Sequence, residues 1–127
     1  MHECRTEIRH DDELYRLIFP DFVRDGIVSS AAYFTSGKPD RAISVNVARL
    51  TTIEETLASR AGRGHYLGVL VARIPHELGL KVEHDPIEGN CAHALIKGAE
   101  SKAVCARLAL ETRLPGPRAT LGPGPRA

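Results

Sequence analysis

Two runs, Leu80-Lys81-Val82-Glu83-His84 and Ala92-His93-Ala94-Leu95-Ile96-Lys97, enclose the bend Asp85-Pro86-Ile87-Glu88-Gly89-Asn90-Cys91. The first run alternates polar and apolar side chains, the second returns as a strand, and Gly98 closes it. Asp-Pro and Gly-Asn are turn residues, although the bend exceeds a two-residue turn. Residues 80–97 therefore read as an antiparallel hairpin with a polar bend.

Upstream, Ile43, Val45 and Val47 alternate with Ser44 and Asn46, which makes 42–48 a strand with its small polar groups on one face. Thr51 with Glu54, and Thr52 with Glu55, form overlapping capping boxes for a helix through Ile53, Leu57, Ala58 and Ala61, ended by Gly62 and Gly64. Tyr66 to Ile74 is almost wholly apolar and reads as a buried strand, with a helix reaching Leu78 as the alternative. Near the start, Leu14, Leu17 and Ile18 recur at helical spacing behind Asp11, a suitable N-cap, and Pro20 stops the run. Ile27 to Phe34 reads as a short strand or an irregular loop carrying Ser29 and Ser30, and 36–40 as a loop. Ser101 to Leu114 carries Val104 and Leu108 on one face and an Arg107–Glu111 pair, which predicts a last helix.

Strands without regular helical crossovers predict an α+β fold: a small, mostly antiparallel sheet with three helices packed on it, the helices on one side. Residues 1–10 read as a flexible lead and 11–114 as a single globular domain. Residues 115–127 hold Pro-Gly-Pro-Arg-Ala twice and read as a disordered Pro/Gly tail.

The 127 residues suffice for one core, and 17 Lys and Arg against 16 Asp and Glu leave a net charge of +1. That balance argues against a strong electrostatic partnership with nucleic acid. The chain shows no apolar window near the ~20 residues of a membrane helix, so no membrane partner is expected. It also shows no apolar leader at its start. Three widely spaced cysteines, Cys4, Cys91 and Cys105, form no disulfide framework, which predicts a soluble, cytoplasmic protein. Aromatic content of 5% and the absence of Trp argue against base-stacking platforms.

The bend is the densest polar stretch. Imidazole titrates near neutral pH, so His93 is the candidate acid/base, with Ser44 and Asp85 as further catalytic candidates. Asn46, Asn90, His84 and Arg16 are the candidate binding residues, Arg16 as an anion contact. A polar surface bend and the solvent side of a half-buried sheet account for the same residues more plainly. His84, Cys91 and His93 are zinc-type ligands, but His-x6-Cys-x-His matches no standard spacing, and no metal or cofactor is expected. Cys91 beside His93 offers a nucleophile, and a small buried thiol is the commoner role. Gly62-Arg63-Gly64 follows a helix and precedes a strand, the reverse of a phosphate cradle.

The segments Leu14-Tyr15-Arg16, Ser29-Ser30-Ala31-Ala32-Tyr33-Phe34, Ile43-Ser44-Val45, Leu50 to Leu57, and Asp85-Pro86 with Asn90-Cys91-Ala92-His93-Ala94 resemble those of a group of small uncharacterised bacterial proteins. The resemblance spans about residues 12–110 and implies no activity. That group has proline after the asparagine, where this chain has Cys91, which favours His93 over Cys91. Leu-Tyr-Arg followed by a serine pair is also similar to ADP-ribosyltransferase-like toxins, whose sites use a basic or imidazole group, a serine strand and often a glutamate; no residue is carried over from them. Balanced charge and the lack of a catalytic motif predict a binding or accessory module for a protein or small-molecule partner. The alternative is a small enzyme acting on a nucleotide or RNA, ADP-ribosyltransferase-like or hydrolytic, with His93 as acid/base.

Overall fold

A computed structural model describes residues 6–35, 42–58 and 65–115. The strands are β1 (Glu13–Ile18), β2 (Val23–Arg24), β3 (Ile27–Val28), β4 (Ala42–Val47), β5 (Tyr66–Val71), β6 (Lys81–His84) and β7 (His93–Lys97). The helices are α1 (Ile53–Ala58), α2 (Arg73–Glu77) and α3 (Lys102–Glu111). Short 3-10 turns occupy Pro20–Phe22, Ser30–Tyr33 and Ala48–Leu50. The main sheet runs β5-β1-β4-β7-β6, and every neighbouring pair is antiparallel. The α+β class with three helices is what the hairpin at 80–97 implies. The 36–40 loop and residues 116–127 of the expected tail lie outside the described residues.

One helix is misplaced in the sequence reading. Residues 13–18 form the strand β1, between β4 and β5, not a helix behind Asp11. Both faces of β1 are covered, so its apolar residues do not alternate, and Leu14, Leu17 and Ile18 mimic helical spacing by accident. Leu14 and Ile18 join the large core with Ile43, Val45, Val47, Leu70, Ile96 and Leu108. Tyr15 and Leu17 point the other way and pack with Leu57, Leu67 and Val69. Because Leu57 belongs to α1, that helix sits on the opposite face from α3, and the helices are not all on one side.

The third helix is α2, which lies in the stretch where a helix reaching Leu78 is the alternative reading. Pro75 is the third residue of a single short turn of helix, where its missing N–H has no intrahelical partner to lose. For α1, the Thr52 hydroxyl accepts from the Glu55 N–H at 3.0 Å, while the Glu55 carboxylate accepts from the Thr51 hydroxyl at 3.2 Å, so Thr52 caps the helix and Glu55 reaches back to Thr51. The Ser101 hydroxyl caps α3 through the Val104 N–H at 3.1 Å. Residues 6–12 run without regular structure. Thr6 N–H donates to His84 Nδ1 at 3.1 Å, Ile8 packs on the core, and Arg49 grips Asp12 at 2.6 Å.

Candidate active site

Register places the chemistry. Ile43, Val45 and Val47 of β4 are core, so Ser44 and Asn46 face the other way. Cross-strand partners share a face, and Asn46 is paired with Tyr15 of β1 on one side and His93 of β7 on the other. Ser44, Asn46 and His93 therefore stand together by pleat and pairing alone. They line a pocket of about 650 Å³ with Arg16 and Asn90.

His93 Nδ1 lies 3.0 Å from the backbone carbonyl of Asp85 and 3.2 Å from its carboxylate. Both are acceptors, so Nδ1 carries the proton in the neutral ring. Nε2 is then a lone pair, and the Ser44 hydroxyl lies 3.3 Å from it and can donate. Ser44, His93 and Asp85 thus form a line of hydroxyl, base and orienting carboxylate, the arrangement that activates an oxygen nucleophile. The Asp85 side chain is 46% exposed and does not itself line the pocket; it acts only through His93. His93 is 15% exposed, which limits the base to one open edge.

Arg16 was expected on the surface of a helix. On β1 it reaches across the sheet instead. Its Nη1–H donates to the Ser44 carbonyl at 2.9 Å, and Nη2–H and Nε–H donate to the Ala32 carbonyl at 2.8 and 3.3 Å. Three of the five guanidinium N–H groups are engaged, and two remain. Burial lowers the Arg16 pKa from its ordinary value, and Tyr33 acts in the opposite sense. Among the described residues no carboxylate pairs with this cation. Carbonyl dipoles solvate the charge without cancelling it, so the pocket keeps a local positive potential.

A chain of amides fixes the bend to the sheet. Asn90 Nδ2–H donates to Asn46 Oδ1 at 2.9 Å, and Asn46 Nδ2–H donates to Thr56 Oγ1 of α1 at 3.1 Å. Asn90 Oδ1 accepts from the Ala92 N–H at 3.0 Å. Within the bend, Ile87 and Asn90 exchange backbone hydrogen bonds around Glu88-Gly89, with Gly89 at φ 82°. Both asparagines are thus committed structurally, and each still lines the pocket.

The remaining candidates fall away from it. His84 does not line the pocket; its Nδ1 accepts from Thr6, and its Nε2–H donates to the Cys91 carbonyl at 2.7 Å. Cys91 precedes β7, does not line the pocket and is disulfide-bonded, so it supplies no thiolate there. Cys105 is buried, and its Sγ lies 3.2 Å from the Tyr33 carbonyl. Among the described residues no group of three or more His, Cys, Asp or Glu side chains is placed to hold a metal.

The apolar wall was missed in the sequence. The chain has three phenylalanines, and all of them, Phe19, Phe22 and Phe34, line this pocket. Phe19 sits edge-on to Phe22 at 5.9 Å and tilts over the buried His65 ring at 4.7 Å. Phe19, Phe34 and Ile87 remain 52%, 36% and 49% exposed. Low aromatic content argues against stacking, but the three phenylalanines are gathered at this one pocket. No protein-family model, curated protein or solved structure matches this chain.

Proposed function

We propose that this chain is a small hydrolytic enzyme acting on a nucleotide. One observation carries the reading: the Ser44–His93–Asp85 line opens into the same pocket as the unneutralised Arg16 and the three phenylalanines. Arg16 suits a phosphate, since its fork of donors matches two oxygens at once. The phenylalanine wall suits a flat ring. A pocket of about 650 Å³ falls within the range that small ligands occupy.

In this reading, His93 Nε2 takes the Ser44 proton while Oγ bonds to the electrophilic centre of the substrate. Asp85 holds the ring in the Nδ1–H tautomer and favours the imidazolium that forms. The bond to the leaving group breaks, and His93 returns the proton to it. Water then repeats the sequence through His93, which frees Ser44 and releases the second product. Arg16 holds the anion beside Ser44 throughout.

The test is turnover by the purified full chain of a panel of nucleoside mono-, di- and triphosphates, dinucleotides and short RNAs, followed by chromatography. A nucleotide should be cleaved, with the rate reduced on the order of 10²-fold or more in Ser44→Ala and His93→Ala. Arg16→Leu should weaken binding. A nucleotide that is bound but left intact would favour the binding-module reading instead. The absence of both binding and cleavage across the panel would overturn the proposal.

A further inference from the structure

We propose that His10 and His76 form a two-imidazole site for a divalent transition metal, copper(II) by preference, with water in the remaining coordination positions. The proposal does not depend on the catalytic reading of the pocket.

The two rings come from positions 66 residues apart, yet their Nδ1 atoms lie 3.0 Å from each other with the ring planes at 85°. Two nitrogens this close share one hydrogen, so at least one of them is a lone pair. Metal–nitrogen bonds of about 2.0–2.1 Å hold two donors about 2.8–3.0 Å apart at a right angle, and about 3.3–3.4 Å apart at the tetrahedral angle. The spacing therefore matches neighbouring corners of a square or octahedral ion. That is the geometry of copper(II) and nickel(II), and copper(II) heads the affinity order for such ligands.

The cation would take the place of the shared hydrogen. That hydrogen passes through water to Nε2 of the same ring, so both imidazoles stay neutral and both Nδ1 lone pairs face the metal. Among the described residues neither Nε2 has a protein partner. Burial first, and the neighbouring His10 second, hold the His76 pKa below its ordinary value, which weakens the proton as a competitor. His10 is exposed and His76 half-buried, so water and metal reach the pair. His84 and His93 differ: both ring nitrogens of each already meet protein groups.

The backbone holds the two rings in place without a metal. His10 sits in a turn closed by the Asp12 N–H on the Arg9 carbonyl at 3.0 Å and by the Arg9 N–H on the Asp12 carboxylate at 2.7 Å. Arg49 clamps that carboxylate at 2.6 Å. The Asp12 carbonyl then accepts from the Ala72 N–H at 2.8 Å, one residue before α2, which carries His76. A site whose parts are already fixed loses little ordering entropy when it binds. Arg73, the cation on the same helix, is countered by Glu77 at 3.2 Å.

Copper(II) titrated into the full chain at neutral pH tests this by NMR, because the unpaired electron broadens nearby signals. At low copper, broadening should centre on residues 9–12 and 73–79 and saturate at one ion per chain. Affinity from a competing chelator should fall by about tenfold or more in either His10→Gln or His76→Gln, since each removes one arm of the chelate. Both variants replace side chains outside the core, and the unbroadened spectrum reports their folding. Broadening centred on the start of the chain or on His65, His84 or His93 would overturn the proposal. So would an affinity equal to the native one in both variants, or no binding at all, which would leave the pair as a hydrogen bond only.

Discussion

Gly68→Ala should destabilise this protein, although alanine ordinarily improves a strand. Gly68 lies inside β5, opposite Arg16 of β1, and its backbone is not in the left-handed region. Conformational freedom is therefore not what glycine supplies here. On that account alone, alanine would add roughly 0.5–1 kcal/mol of stability. Space decides otherwise. A Cβ at 68 would stand 2.6 Å from Thr112 Cγ2 and 2.8 Å from Ile18 Cδ1, with the Arg16 carbonyl at 3.7 Å.

Neither neighbour yields easily. Ile18 is 1% exposed. Thr112 is pinned by its own hydroxyl, which donates to the Leu108 carbonyl at 2.7 Å and accepts from Tyr33 Oη at 2.7 Å. Overpacking of this kind costs about 1–3 kcal/mol, so the net loss should be about 1–2 kcal/mol. That corresponds to a Tm lower by roughly 4–8 °C for a domain of this size. Urea unfolding followed by circular dichroism measures it. Thr112→Ser removes the offending methyl and keeps the hydroxyl, so the double variant should recover about 1 kcal/mol relative to additivity. A neutral or stabilising Gly68→Ala, or no coupling with Thr112→Ser, would refute this account of the strand.

Tyr33→Phe should cost about 1 kcal/mol, because the fully buried hydroxyl donates to Thr112 while Thr112 keeps its Leu108 bond; denaturant unfolding reads it directly. Asp12 tests the acid side. Burial raises its pKa, but hydrogen bonds from Arg49 and the Arg9 N–H, with the charges of Arg49 and Arg9, outweigh that and hold it below the ordinary 3.8. A depressed carboxylate contributes stability in full above its unfolded value, and this is lost as pH falls through the folded one. Asp12→Asn should therefore lower stability at pH 7 by about 1–2 kcal/mol. The gap from the native chain should narrow as pH falls below 4, and a gap independent of pH would contradict the assignment.

The sequence carried the hairpin and its neighbour well. Val45 and Val47 alternate cleanly because β4 has one face in the core and one toward the pocket, and the period of two survives where burial is one-sided. That alternation was enough to set Ser44 and Asn46 on a common face. Pairing Asn46 with His93 required the register of β7, which the bend determines and local pattern does not. β1 was misread for the opposite reason: a strand covered on both sides shows no alternation to find. Arg16 was chosen for its charge and placed on the wrong element. His84 shares the polar bend's composition, yet its two ring nitrogens are taken up by the Thr6 N–H and the Cys91 carbonyl, away from the pocket. The phenylalanine wall left no local signal, since Phe19, Phe22 and Phe34 come from the segments that read least regularly and meet only in the folded chain. Ser29 caps the turn that ends near Phe34, with its hydroxyl accepting the Ala31 N–H at 3.1 Å, which fixes that turn but does not announce the wall.

The placement of β1 between β4 and β5 also bears on how the chain is made. It precedes both of its partners in the chain, β4 at residues 42–47 and β5 at 66–71. Its hydrogen-bonding edges and apolar flanks stay unsatisfied until residues 66–71 have been synthesised. A nascent chain arrested before residue 66 should consequently be sticky and chaperone-dependent, and the finished protein should refold slowly for its size, because its sheet is closed by distant pairings.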